Sequence, residues 1–287
     1  MKTTIKTNVH ARGRNLYLLS LSMMIILLVS CNNEETAPGF PADDQESVGF
    51  DATDDYYFDD ADDMVNIALE SETLAGTGRA NPDGRLACAQ LSFSGGAVSG
   101  SLKVDFGEGC SDAHGNIRKG AIVVERTGFS NSEGSFWSFT FSGYSVNGVA
   151  MEGTRNVRVI SVTDSVIISD ATLVGGRITW PNGRIATRET NRRRHHERRE
   201  NNLLDRLIIY GNSQGTWCNG RGYVIEIIEP LVYDRSCAST GVIIAVAGKK
   251  LIKHGEREFT VDYGDGACDS MVTLTYKDGK TIRYEVN

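Results

Sequence analysis

Hydrophobic and polar positions divide the 287-residue chain into stretches of different period. At the N-terminus, Lys2, Lys6, Arg12 and Arg14 precede an apolar run over residues 16–29. A membrane-spanning helix needs about 20 apolar residues, so this shorter run behind a basic head predicts a signal-peptide core, with residues 1–30 removed. From residue 32 to about 55 the chain is polar and acidic, with bulky apolar residues only at Phe40, Val48 and Phe50. That composition buries too little surface to offset chain entropy, and residues 31–58 are expected to form a disordered acidic tether. About 27 flexible residues would hold the remainder on the order of 30 Å from an anchor point.

Tyr57, Ala61, Met64, Val65, Ala68 and Leu69 then recur at helical spacing, opposite Asp62, Asp63, Asn66 and Glu70. This spacing predicts one short helix within residues 59–76. Asp59 and Asp60 fall in its first turn, where acids suit the helix dipole, and Gly76 ends it. The dense aspartates also invite a metal reading, but they lack the Asp-x-Asp-x-Asp-Gly pattern of a calcium loop.

From Leu86 to the C-terminus the period changes to two. Trp137, Phe139 and Phe141 share one face of a run whose other face is Ser138, Thr140 and Ser142, and residues 157–162 alternate similarly. Gly-containing turns separate such runs, among them Asn147-Gly148, Asn182-Gly183, Asn219-Gly220 and Asp278-Gly279. Asn-Gly and Asp-Gly between alternating runs are the strongest short hairpin signal. The expected fold is all-β: a long antiparallel meander over residues 85–287, either a sandwich or an open, curved, barrel-like sheet, with one short N-terminal helix. The composition agrees, with 31 Gly and only 5 Pro.

One element occurs twice. Cys88 opens a strand whose return ends in Asp105-Phe106-Gly107-Glu108-Gly109-Cys110-Ser111-Asp112. Cys237 opens another, whose return ends in Asp262-Tyr263-Gly264-Asp265-Gly266-Ala267-Cys268-Asp269. If residues 88–112 and 237–269 are hairpins, each pair of cysteines faces across its open base, which predicts Cys88–Cys110 and Cys237–Cys268 disulfides, as an exported chain permits. Cys218 is then odd and is expected as a buried thiol, although a bridge to Cys237 would upset the scheme. The repeat acids Asp105, Glu108, Asp112, Asp262, Asp265 and Asp269 are candidate Ca²⁺ ligands, the only cofactor the pattern suggests. Paired carboxylates also carry glycoside hydrolysis, so a glycan-processing enzyme is the alternative function. The plainer reading is that Asp and Gly build sharp turns.

Charge is unevenly spread. The chain totals −7; the leader contributes +4 and the 14 acids of residues 32–72 contribute −14, which leaves +3 for the rest. This balance, in an exported protein, excludes a nucleic-acid binder. Arg184, Arg188, Arg192, Arg193, Arg194 and Arg198, with Arg199, form a basic run interrupted by Glu189, Glu197 and Glu200. It reads as a solvated hairpin with protected edges, as a dock for lipopolysaccharide phosphates or an anionic glycan, or as a patch onto which the acidic tether folds back.

Three further motifs carry less. Gly211-Asn212-Ser213-Gln214-Gly215 fits a nucleophile elbow, but β pattern continues on both sides where a helix should follow. His195-His196-Glu197 lacks the helical spacing of a zinc protease. Among the three tryptophans, Trp137 and Trp180 share faces with apolar neighbours, and Trp217, beside Gly215 and Asn219, is the better candidate for exposure.

The sequence Leu28-Val29-Ser30-Cys31 resembles the bacterial lipobox, in which the Cys is lipidated and becomes the mature N-terminus. Asn32-Asn33-Glu34-Glu35 resembles the acidic export signal of Bacteroidota lipoproteins. The repeated Asp-Phe/Tyr-Gly-x-Gly element, residues 148–153 and the C-terminal Cys-hairpin are similar to a group of Bacteroidota lipoproteins of unassigned activity. The resemblance covers roughly residues 86–287. It implies a secreted, lipid-anchored β-domain and brings no catalytic residues. The expectation is an outer-membrane, surface-exposed lipoprotein held by lipid on Cys31. Its function is expected to be non-catalytic binding or envelope structure, with an anionic glycan or an envelope protein as partner.

Overall fold

The computed structural model describes residues 42–75, 84–96, 98–128, 132–201, 204–238 and 240–286. The lipobox, the signal peptide and Gly76 lie outside them. Strands β1 (Gln90–Gly95), β2 (Ser99–Asp105), the two-residue β3 (Cys110–Ser111), β4 (Ile117–Thr127) and β5 (Phe136–Val146) begin the domain. The long β6 (Val149–Val162), β7 (Val166–Thr179), β8 (Ile185–Glu197), β9 (Arg206–Thr216) and β10 (Gly222–Asp234) form its middle. β11 (Ala247–His254), β12 (Arg257–Asp265), β13 (Met271–Tyr276) and β14 (Thr281–Glu285) complete it.

All fourteen strands form one antiparallel sheet in sequence order, with β3 pairing only β4. β1 and β14 are its edges, so the sheet is open and not a closed barrel. The turn signals act as expected. Asn147 and Gly148 adopt φ of 51° and 82° between the paired Val146 and Val149, the left-handed pair that a two-residue hairpin turn requires. Curvature comes from irregularities such as the register shift at Gly120. A Cβ on Gly120 would lie 2.2 Å from the Gly143 carbonyl oxygen, so only glycine lets the strands approach so closely there. Both expected disulfides are present: Cys88–Cys110 with Cα atoms 6.0 Å apart, and Cys237–Cys268 with 5.0 Å.

The largest departure from expectation is helical. Helix α1 spans Ala42–Ala75, 34 residues, so the segment from residue 42 to 58 is helix and not tether. At 1.5 Å per residue it is about 51 Å long. It lies against the inner face of the sheet, which curves around it. Ala61, Met64, Val65, Ala68 and Leu69 are buried as the spacing predicts, and Val48, Phe50 and Phe58 join the same core. Phe50 packs 6.5 Å from Trp217 and Phe58 packs 6.4 Å from Phe141 (ring centroids). Trp217 is therefore not an exposed platform: it is 0% exposed and stacks on Tyr223 at 4.6 Å. The part of the helix before residue 59 was not legible because its inner stripe mixes apolar side chains with buried Asp44, Asp51, Asp54 and Asp55. An aspartate counts as a solvent-facing residue unless cations await it.

Candidate functional site

Those cations are supplied by the inner faces of the strands, and the interface with α1 is the most chemically distinctive region of the molecule. Alternation along β8 turns Ala186, Arg188, Thr190, Arg192 and Arg194 inward and leaves Asn191 and Arg193 outside. Arg118 on β4, Arg155 on β6, and Lys250 and His254 on β11 also point inward and are buried.

The pairs form a ladder along the helix. In its first turn, Asp44 meets His254 Nε2 at 3.0 Å and accepts from Arg257 at 2.8 Å. In the middle, Asp51 accepts from Arg188 at 2.9 Å and from Lys250 at 2.5 Å. One turn later, Asp55 Oδ1 accepts from Arg188 and Arg192, both at 2.6 Å, and its Oδ2 accepts from Lys250 at 2.9 Å. Further on, Arg155 holds Asp62 with two donors, and Arg194 lies 2.6 Å from Asp62 and 3.0 Å from Asp59. On the same stretch of helix, Arg118 donates to both oxygens of Asp60, to Asp112 at 2.9 Å and to the Tyr144 hydroxyl at 2.7 Å.

Burial alone would push these carboxyls up, because a low-dielectric setting disfavours charge. At Asp55 burial is outweighed by Arg188, Arg192 and Lys250, which hold the carboxyl well below its ordinary range. Arg155 and Arg194 likewise outweigh burial at Asp62 and lower it. Asp54 goes the other way: burial dominates, Arg188 at 4.0 Å offsets only part, and Asp51 and Asp55 add repulsion, so its carboxyl is raised well above the usual value. Among the described residues its Oδ2 has no hydrogen-bond partner. A ladder of this kind adds little net stability over an apolar interface, because desolvation cancels much of the attraction. It does fix register, since sliding α1 by one turn would strand every buried charge.

This arrangement corrects the reading of the basic run as one anion-binding surface. Arg188, Arg192 and Arg194 face the helix and are neutralised by its acids. Arg193 is outside and forms a two-donor pair with Asp170 at 2.7 and 2.9 Å. Arg184 lies in the turn before β8, and Arg198 follows its end and donates to the Thr163 carbonyl. The third reading of the run, with the acidic segment folded back onto it, is the arrangement present. The contacts are direct and buried, where salt screens little.

The repeat acids are not gathered either. Asp105 accepts from the Gly107 amide at 2.9 Å and from Lys103 at 2.6 Å. Glu108 is solvent-exposed and 3.2 Å from Lys119. Asp112 is buried and accepts from the amides of His114 and Asn116, both at 2.9 Å, besides Arg118. Asp262 accepts from the Gly264 amide and Asp269 from the Met271 amide, at 2.9 and 3.1 Å, while Asp265 is exposed. These are turn-closing bonds, and among the described residues no three acids, His or Cys are grouped to hold a metal ion. Ser213 is buried within β9, which runs directly into a turn and β10 and forms no elbow. Cys218 is buried and bonded rather than a free thiol.

No known protein-family model, curated protein or solved structure matches the chain.

Proposed function

We propose that the chain is an outer-membrane lipoprotein, anchored through Cys31 and facing the cell surface, whose β-domain is a non-catalytic binding or structural module of the envelope. The observation that carries the non-catalytic reading is the filled groove. The inner face, where a substrate would meet convergent cations, is occupied by α1, and each buried cation there is bonded to an acid of the same chain. The basic leader with its short apolar run supports export, and two disulfides fit an oxidising compartment. Arg188, Arg192 and Arg194 are assigned to holding α1 and not to an external anion.

The test is acyl labelling and intact mass of the wild type and of Cys31→Ser. The proposal expects a processed chain with acyl mass on Cys31, and a Cys31→Ser variant that takes no label and leaves the membrane fraction. A chain that is neither processed nor acylated, or a Cys31→Ser variant that still takes the label, contradicts the anchor.

A further inference from the structure

The outer face of the sheet, opposite the helix, carries a feature that the ladder does not use. Register places Asp170 on β7, Arg193 on β8 and Tyr210 on β9 in one cross-strand row, with Thr172, Asn191 and Asn212 in the next. All of these but Thr172, together with His195, border an open, shallow depression of about 690 Å³. Gly211 lies between the two outward side chains of β9, with φ +120°, and a Cβ there would meet the Asn191 carbonyl oxygen at 2.1 Å. A glycine is thus required for β8 and β9 to lie this close under the depression.

Three properties define what such a surface recognises. The first is charge. Arg193 and Asp170 hold each other through two short bonds, so a single cation and a single carboxylate cancel. The pair is half-exposed, with side chains 53% and 40% accessible, so its remaining donors and lone pairs face solvent. The second is hydrogen-bonding character: Asn191 and Asn212, adjacent across the strands, offer both donors and acceptors. The third is an aromatic surface. Tyr210 is 37% exposed, and its ring lies 4.9 Å from that of His195. Tyrosine presents an apolar face and a polar tip together.

A phosphate or uronate would find its only guanidinium already neutralised, and an acyl chain would find mostly polar groups. We propose that the outer face of β7–β9 binds an uncharged glycan segment. A sugar ring packs its C–H face on Tyr210, and its hydroxyls exchange hydrogen bonds with Asn191, Asn212 and the free edges of the Arg193–Asp170 pair. None of these groups holds the fold: an exposed ion pair adds little net stability, and outward substitutions change it little. The inference is independent of the lipid anchor, because the assay needs no membrane.

The test is affinity electrophoresis of the purified full-length protein in native gels containing soluble starch, dextran, hydroxyethyl cellulose, xylan or yeast mannan, with polygalacturonate as the acidic comparison. At least one neutral polysaccharide is expected to retard the wild type. Tyr210→Ala and Asn212→Ala are expected to weaken that retardation by at least about tenfold, as loss of a stacking face or a paired hydrogen bond implies. Tyr210→Phe should retain most of it, and all three variants should melt with the wild type. Migration unaffected by every neutral polysaccharide overturns the proposal. So does retardation that survives both alanine variants, or retardation by polygalacturonate alone.

Discussion

Replacing Asp55 by Asn removes one charge from the centre of the helix–sheet interface with almost no change of shape. Asp55 accepts from three cations, Arg188 and Arg192 at 2.6 Å and Lys250 at 2.9 Å. Arg188 and Lys250 keep Asp51, but among the described residues Arg192 has no second carboxylate within ion-pair distance and no partner for its Nε, Asp59 acting on it only at longer range. The variant therefore leaves a buried guanidinium without a direct counter-charge, a change that costs about 3–5 kcal/mol. For a domain of this size each kcal/mol lowers the melting temperature by about 2–4 °C, so a fall of about 6–20 °C is expected. Thermal melts followed by tryptophan fluorescence read it directly, since Trp217 is buried against Phe50 of the helix. Asp63→Asn is the control: its side chain is 61% exposed and its contact with Arg85 is 3.4 Å, so it should move the midpoint little. Adding Arg192→Met to Asp55→Asn should recover about 0.5–3 kcal/mol as coupling. An Asp55→Asn midpoint indistinguishable from that of Asp63→Asn would refute the reasoning.

Asp54→Asn should behave oppositely. The raised carboxyl of Asp54 means that its ionised form is disfavoured by folding; the penalty is absent below the unfolded value of about 3.9 and complete above the folded value. The variant should thus match or exceed the wild-type midpoint near pH 7 and lose that advantage towards pH 4, and a loss as large as that of Asp55→Asn would contradict this. Asp55 and Asp62 are lowered, so the stability they contribute is present above about pH 3.9 and disappears as pH falls through their folded values. Circular dichroism should show α1 detaching in acid below about pH 4, and a signal unchanged down to pH 2 would count against the ladder. Replacing both Cys88 and Cys110 by Ser should cost about 3–4 kcal/mol less any strain, because the bridge closes a loop over 22 residues; a denaturant midpoint equal to the wild type would show that it does not constrain the unfolded chain.

The sheet was legible because its signals are local. Asn-Gly and Asp-Gly turns fall between alternating runs, and the repeated Cys hairpins place their own partners. The N-terminal half of the helix was not, because the strand cations that meet the helix acids lie 58 to 213 residues away in sequence. Asp44, Asp51, Asp55 and Asp62 nevertheless share one side of a helix at heptad-like spacing. Arg188, Arg192 and Arg194 share one face of a strand with Ala186 and Thr190, while Arg193 does not. Two opposite-charge stripes, each with the period of its own element, were the available signal. A solvated tether and a single arginine patch have no such periods. Asp62, expected on the outer side of the helix, is likewise buried between Arg155 and Arg194.

The acidic segment from residue 42 to 58 belongs to the folded core and is not a tether. Native-state hydrogen exchange resolved along residues 42–75 tests it most directly. The account predicts that amides from Asp51 to Leu69 exchange as slowly as those of the central strands β6–β9, and that Asp55→Asn accelerates them first. Exchange of that segment at the rate of unstructured chain, beside a protected sheet, would contradict it.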